Sequence, residues 1–315
     1  MSVAETDPRG RRFGSQGGRN GDRFFAGLAI GAGVLILATL AGTAIFLLVK
    51  AWPAITAPAS EIPGGKGLLK YIWPLAFGTL IAAAIAIVVA VPAAIAVALF
   101  ISQIAPPRVA QPLSYVIDLL AAIPSVIYGL WGIAVLGPAS VGVQQWLADH
   151  LGWIPLFKGP ASATGRTMLV AGLVLAVMIL PIITAVTREV FVQTPRGQIE
   201  AALALGATRW EVVRTTVLPF GLSGYISGAM LGLGRALGET IALLIILRGT
   251  QSAFHWSLFD AGYTFASKIA SAASEFNDQY KAGAYIAAGL VLFILTFVVN
   301  SLARAAVSGK DRSAS

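Results

Sequence analysis

Long apolar runs separated by short polar segments dominate the chain, and the runs are of membrane length. A bilayer core of ~30 Å takes ~20 helical residues per crossing. The first such run is 24–49, and five more follow at 75–101, 115–136, 167–190, 224–247 and 282–305. The pattern predicts an all-α, polytopic membrane protein with six transmembrane helices. Run 24–49 is longer than the apolar region of a signal peptide, and no convincing small-residue cleavage site follows it, so it is read as a retained first span. Residues 1–23 place Arg9, Arg11, Arg12, Arg19 and Arg23 among Gly, Ser and Asn without apolar periodicity, which predicts a flexible basic tail. Residues 50–70 then form a loop, 71–308 a core of five spans, and 309–315 a second tail. Pro92, Pro124 and Pro181 fall inside spans two, three and four. Each removes a backbone donor, and two readings stay open for them and for Ser125 beside Pro124: bending for packing, or gating.

Composition narrows the class. The 315 residues are 57% hydrophobic and 11% charged, with a mean hydropathy of +0.80, which excludes a soluble domain of this length. There is no Cys, so disulfides, thiolate metal sites and cysteine nucleophiles are excluded. His150 and His255 lie far apart in loops without neighbouring carboxylates, so no metal is expected. Neither paired carboxylates nor a catalytic triad is evident in the spans, and no enzyme or cofactor is expected. The net charge of +8 is read as orienting the chain in lipid rather than as a nucleic-acid surface. Thirteen Lys and Arg fall on the side of the two termini and eight on the other, which predicts cytoplasmic termini. Asp118 reads as a favourable acid near the start of span three.

The segment 198–219 is too polar to cross a membrane, yet Leu203, Leu205, Trp210, Val213 and Val217 are too apolar for a plain linker. Two short amphipathic helices joined near Gly206, the second ended by Pro219, fit it best. Small Ala201 and Ala202 let a helix sit deep in a groove, with Glu200, Arg209, Glu211 and Arg214 at its rim; an amphipathic helix lying on the lipid headgroups is the alternative. Glu200-Ala201-Ala202, Gly206 and Leu218-Pro219, at this spacing, resemble the EAA loop of ABC importer permeases. Where that family often carries Ile, this chain has Thr216, with Val217 beside it to fill the apolar contact. The resemblance implies a type I ABC importer permease fold. It also implies that Glu200, Ala201, Ala202, Gly206, Arg209, Trp210, Leu218 and Pro219 dock on a separate cytoplasmic ATPase. The chain has no phosphate-binding loop of its own: residues 159–167 imitate one with a residue too many and Arg166 in place of Lys.

Arg235 and Glu239 fall near the middle of the fifth run. A charge at the bilayer centre costs about 2.5–3.5 kcal/mol or more, so such residues face a partner or a water-filled path. Their spacing of four puts them on one face, a single turn apart, where they can pair. Two readings stay open: a self-neutralising ion pair, or an oxyanion contact in which Arg presents its planar fork of donors and Glu239 accepts from a protonated phosphate oxygen. Gly228, Gly232, Gly234 and Gly238 strip side chains from this helix, either for close packing or for an open path beside Arg235.

Arg-Ala-Leu-Gly-Glu-Thr at 235–240 and Ala-Ala-Ile-Pro-Ser-Val-Ile-Tyr-Gly-Leu-Trp at 121–131 are similar to the phosphate-specific branch of these permeases, in its PstC-type subunit. That resemblance implies inward transport of inorganic phosphate through a bacterial plasma membrane, with Arg235, Glu239 and Thr240 on the substrate pathway. It also implies a PstA-type second permease, two copies of a cytoplasmic ATPase and an extracytoplasmic phosphate-binding protein. A sulfate or molybdate importer of the same architecture and an ion-coupled secondary transporter are the alternatives. The outward loops 51–70, 138–166 and 249–281, with Trp146, Trp153 and Trp256, are read either as docking surfaces for the binding protein or as an aromatic belt.

Overall fold

A computed structural model describes residues 16–247 and 256–311, all helical or connecting, with no strand among them. The helices are α1 (Gln16–Thr56), α2 (Leu68–Leu99), α3 (Pro107–Ala121), α4 (Ser125–Trp131), α5 (Gly137–Leu151), α6 (Met168–Val192) and α7 (Arg196–Ala204). They continue with α8 (Arg209–Val212), α9 (Leu218–Phe220), α10 (Leu222–Gly238), α11 (Ile241–Ile246), α12 (Phe265–Ser271) and α13 (Gln279–Asp311). Single π turns at Phe100–Ile104, Gly132–Leu136 and Val213–Val217 extend α2, join α4 to α5 and join α8 to α9.

Five continuous helical stretches are long and apolar enough to cross a membrane: 21–56, 68–104, 125–151, 168–192 and 279–305. A bent pair, 209–220 with 222–238, whose axes differ by 65°, passes the same test only when its two helices are taken together. The six expected spans are therefore met by five continuous helices and, for the fifth expected span, by α10 and α11 in place of one helix.

The chain divides into two compact units, 1–49 and 50–315. In the first, α1 begins at Gln16, eight residues inside the expected tail; Arg9, Arg11 and Arg12 lie outside the described residues. Its Thr39 and Thr43 hydroxyls donate to the carbonyls of Leu35 and Thr39 at 2.8 Å, so neither needs water to satisfy it.

In the second unit, α6 is the central helix. Val170, Ala171, Val174, Leu175, Ile179 and Ile183 are fully buried, and α2, α3 and α10 pack around it. From α2 it receives an alanine stripe, Ala82, Ala86, Ala90, Ala94 and Ala98, spaced by four and at most 1% exposed. Residues four apart share a helix face, and methyl side chains let the two backbones approach closely. From α10 it receives a glycine stripe. A Cβ at Gly224 would lie 2.7 Å from Val190 Cγ1, and one at Gly232 would lie 2.9 Å from Ile183 Cδ1. The expected small-residue face is therefore a contact with α6.

Two expected spans differ from the structure. Span three was expected over 115–136, but the crossing helix starts at Ser125 and runs to Leu151, while 107–121 forms α3, a separate helix. Pro124 is the reason. Proline disfavours helical backbone in the residue before it, and Pro124 itself sits at ψ 138, just ahead of α4. It begins a helix and does not kink one. The first part of the expected outward loop 138–166 is consequently helical. Pro92 and Pro181 do lie inside continuous helices. Asp118, expected at a helix start, lies in the last turn of α3 and pairs with Arg188 of α6 at 3.8 Å. Span five was expected as one helix over 224–247. It stops at Gly238, and Glu239 is extended at ψ 126 before α11 begins.

Candidate translocation site and coupling surface

The interruption of the fifth span lies between Arg235 and Glu239, for which an ion pair was one of two readings. Arg235 occupies the last turn of α10 and is half-buried, with no ion pair or hydrogen bond among the described residues. Glu239 is 9% exposed, and its Oε1 accepts the backbone N–H of Ala242 at 3.1 Å. That N–H belongs to the first turn of α11 and has no partner within the helix, so the carboxylate caps the second half of the span. Thr240, half-buried, donates its hydroxyl to the Gly238 carbonyl at 3.1 Å. The self-neutralising pair is thus absent, because Glu239 has left the helix on which its spacing of four would count.

The glycines divide accordingly. Gly224, Gly228 and Gly232 meet α6, whereas Gly234 and Gly238, on either side of Arg235, have nothing within 4 Å of where a Cβ would stand. Close packing accounts for the first three, and the face that carries Gly234 and Gly238 is open.

The segment 121–131, more than a hundred residues upstream, comes to the same place. Tyr128 and Ala236, next to Arg235, belong to one buried cluster, and the Tyr128 hydroxyl donates to the Leu120 carbonyl at 2.8 Å. A Cβ at Gly129 would stand 2.9 Å from Ala242 Cα, so only glycine lets α4 lie against α11. Ser125 is half-buried in the first turn of α4. Pro92 on α2 and Pro181 on α6 are helix-interior prolines.

The segment between α6 and α10 forms its turn from two local motifs. At the end of α7, Gly206 N–H donates to the Leu203 carbonyl at 2.9 Å and Ala207 N–H to the Ala202 carbonyl at 3.1 Å, with Gly206 at φ +86. This pair of bonds around a left-handed glycine is the Schellman C-cap. Two residues on, Thr208 accepts the Glu211 N–H at 3.3 Å, while Glu211 accepts the Thr208 N–H at 2.7 Å and its hydroxyl at 2.8 Å. This is a capping box that starts α8. It holds the Glu211 carboxyl below the usual carboxylate range, through the Thr208 backbone bond first and its hydroxyl second. Glu211, expected at a charged rim, is thus engaged within its own turn. The Thr-x-x-Glu spacing is the signal that finds it.

Beyond the turn, Val213 and Val217 are buried, the latter with Ala98 of α2 and Phe191 of α6. Glu200, Ala201, Gly206, Arg209 and Trp210 are exposed, Ala202 is half-buried, and Leu205 keeps 91% of its surface exposed. Pro219 does not end the second helix as expected. The π turn at Val213–Val217 widens the spiral one residue before Leu218-Pro219, and the chain stays helical to Phe220, bending at Gly221. An inserted residue shifts the ladder, which is how a proline without an N–H is accommodated there.

Residues 90–311 match the family described as the inner membrane component of binding-protein-dependent transport systems. The chain belongs to this family. It is 51% identical over 302 residues to phosphate transport system permease protein PstC 2 of Mycobacterium tuberculosis, covering 93% of each chain. To phosphate transport system permease protein PstC of Mycobacterium leprae it is 52% identical over 313 residues, covering 96% of this chain and 98% of that one. Among solved structures, a bacterial ABC transporter involved in alginate import matches with a TM-score of 0.55 at 17% identity, covering 90% of this chain and 97% of that one. The inward-facing MetNI methionine ABC transporter matches at 0.52 and 19%, covering 77% and 95%. These two likenesses concern fold alone, and that fold is the ABC importer permease fold. In this inner membrane component the two segments that carried the phosphate-branch resemblance, 121–131 and 235–240, meet at the break in the fifth span.

Proposed function

We propose that this chain is the membrane-spanning permease subunit of an ABC importer that carries inorganic phosphate inward, energised by a separate ATPase. The observation that carries the reading is the near full-length identity, above 50%, to permeases named for phosphate transport. The site supports it. A half-buried Arg235 without a counter-ion among the described residues, beside two glycines that face open space, offers an oxyanion a cation. Glu239 uses one carboxylate oxygen on Ala242; its second oxygen accepts from a protonated phosphate, which fully deprotonated sulfate cannot match.

In this reading both termini and the turn at 196–219 are cytoplasmic, and the exposed face from Glu200 to Trp210 docks on the ATPase dimer. A PstA-type permease completes the membrane unit, and an extracytoplasmic phosphate-binding protein delivers the substrate. Closure of the ATPase moves α7–α9, and the buried contact of Val217 with Phe191 passes that movement to α6. The glycine stripe then passes it to α10, whose last turn holds Arg235.

The test of the site is Glu239→Gln in the reconstituted complex. A hydrogen bond to a charged group contributes about 1.5–3 kcal/mol, so the preference for phosphate over sulfate should fall roughly 10–100-fold. An unaltered preference would remove Glu239 from the selectivity role.

A further inference from the structure

Lys268, on α12, exposes only 6% of its surface. Its ammonium stands 5.1 Å from the Tyr263 ring centre and 5.9 Å from that of Tyr285. Among the described residues it has neither a carboxylate within ion-pair distance nor a hydrogen-bond acceptor. Glu275, seven residues on and exposed, instead accepts the Tyr285 hydroxyl at 2.6 Å. Tyr71 of α2 meets the Tyr285 ring edge-on at 6.1 Å, and its hydroxyl is buried without a partner among the described residues. The cluster is held from beneath by the Phe265 N–H, which donates to Thr79 of α2 at 3.0 Å, and by the Thr264–Ser267 capping box that starts α12.

An ammonium carries three donors, and ring faces attract its charge without supplying a lone pair to any of them. The Lys268 stem is buried, and the ammonium at its tip is not among the buried unpartnered atoms, so its donors keep an opening for a ligand. Here a cation and a phenol hydroxyl, neither with a hydrogen-bond partner among the described residues, belong to one aromatic cluster, in the segment that the proposed orientation makes extracytoplasmic. We propose that Lys268, with the Tyr71 hydroxyl, receives a tetrahedral oxyanion of the phosphate class at the extracytoplasmic end of the path, before it reaches Arg235. This rests on the importer reading above. Two cationic stations, neither locked to a carboxylate among the described residues, would let the ion bind at each and leave it again.

The experiment uses the full complex, both permeases and the ATPase dimer, in liposomes with the phosphate-loaded binding protein outside. Lys268→Gln should lower the maximal rate of labelled-phosphate uptake about tenfold, the scale of one charge-assisted contact, while half-saturation by binding protein stays within about twofold of wild type. Lys268→Arg should restore most of the rate. Saturable binding of inorganic phosphate to the detergent-solubilised complex without binding protein should weaken in parallel. Should Lys268→Gln not assemble, Tyr71→Phe removes a single hydroxyl and should still lower the rate. Wild-type rates and phosphate binding in Lys268→Gln or Tyr71→Phe would overturn the assignment and leave the importer reading intact. Loss of the second permease from Lys268→Gln, with phosphate binding by wild type absent, would overturn it in favour of a partner carboxylate on Lys268. A wild-type complex that moves another oxyanion in place of phosphate would overturn the importer reading itself.

Discussion

Replacing Gly206 by valine isolates the turn on which coupling depends. Gly206 sits at φ +86, and a Cβ there would have no atom within 4 Å, so the substitution meets no steric obstacle from its neighbours. The cost is in the backbone, about 1–2 kcal/mol for an L residue in the left-handed region, with a β-branched residue at the upper end. Because 1.4 kcal/mol is a factor of ten, the fraction of chains holding the two Schellman bonds relative to other turn geometries should fall roughly 5–30-fold. Asparagine tolerates the left-handed region, so Gly206→Asn serves as the control. In liposomes containing the complete complex, the valine variant should lose phosphate uptake by up to that factor while basal ATP hydrolysis persists. The asparagine variant should stay within about threefold of wild type. Equal uptake per ATP in all three proteins would refute the role of the turn, whatever the effect on stability.

Other expectations come from the same geometry. Gly224→Ala drives a methyl into Val190 and should destabilise the permease by about 1–3 kcal/mol, whereas Gly234→Ala meets open space and should gain up to about 1 kcal/mol of helix propensity. Thermal unfolding in detergent would separate them, and a destabilised Gly234→Ala would contradict the open face beside Arg235. The Glu211 carboxyl is lowered in the folded turn, so its capping contribution is present above the ordinary carboxylate range and lost as pH falls through the lowered value. Amide exchange at Thr208, corrected for its intrinsic pH dependence, should therefore become less protected on acidification in wild type. In Glu211→Gln that carboxyl-linked change should be absent, and its persistence there would assign it to another group.

Much of the membrane architecture was legible in the apolar runs, because burial in lipid and burial in protein both demand unbroken hydrophobic sequence. The boundaries that failed did so where that signal is silent. Run 115–136 is apolar on both sides of Pro124, so hydropathy merges α3 with α4, although the backbone rule for the residue before proline places a break there. Likewise 224–247 is apolar throughout except for Arg235 and Glu239, and helical spacing presumed the helix whose interruption decides what those residues do. Gly238 and the short-range cap from Glu239 to Ala242 were the available signals, both weaker than the surrounding hydrophobicity. The meeting of 121–131 with 235–240, and the aromatic cluster around Lys268, depend on contacts between distant segments. A single sequence carries no local trace of them.

The most direct measurement is uptake of labelled phosphate into liposomes containing the reconstituted complex, with excess sulfate as competitor and Arg235→Ala alongside. ATP-dependent phosphate uptake that sulfate does not depress, and that Arg235→Ala abolishes, is the predicted result. Uptake that prefers sulfate, that proceeds on an ion gradient without ATP, or that survives Arg235→Ala unchanged would contradict a phosphate path through the break in the fifth span.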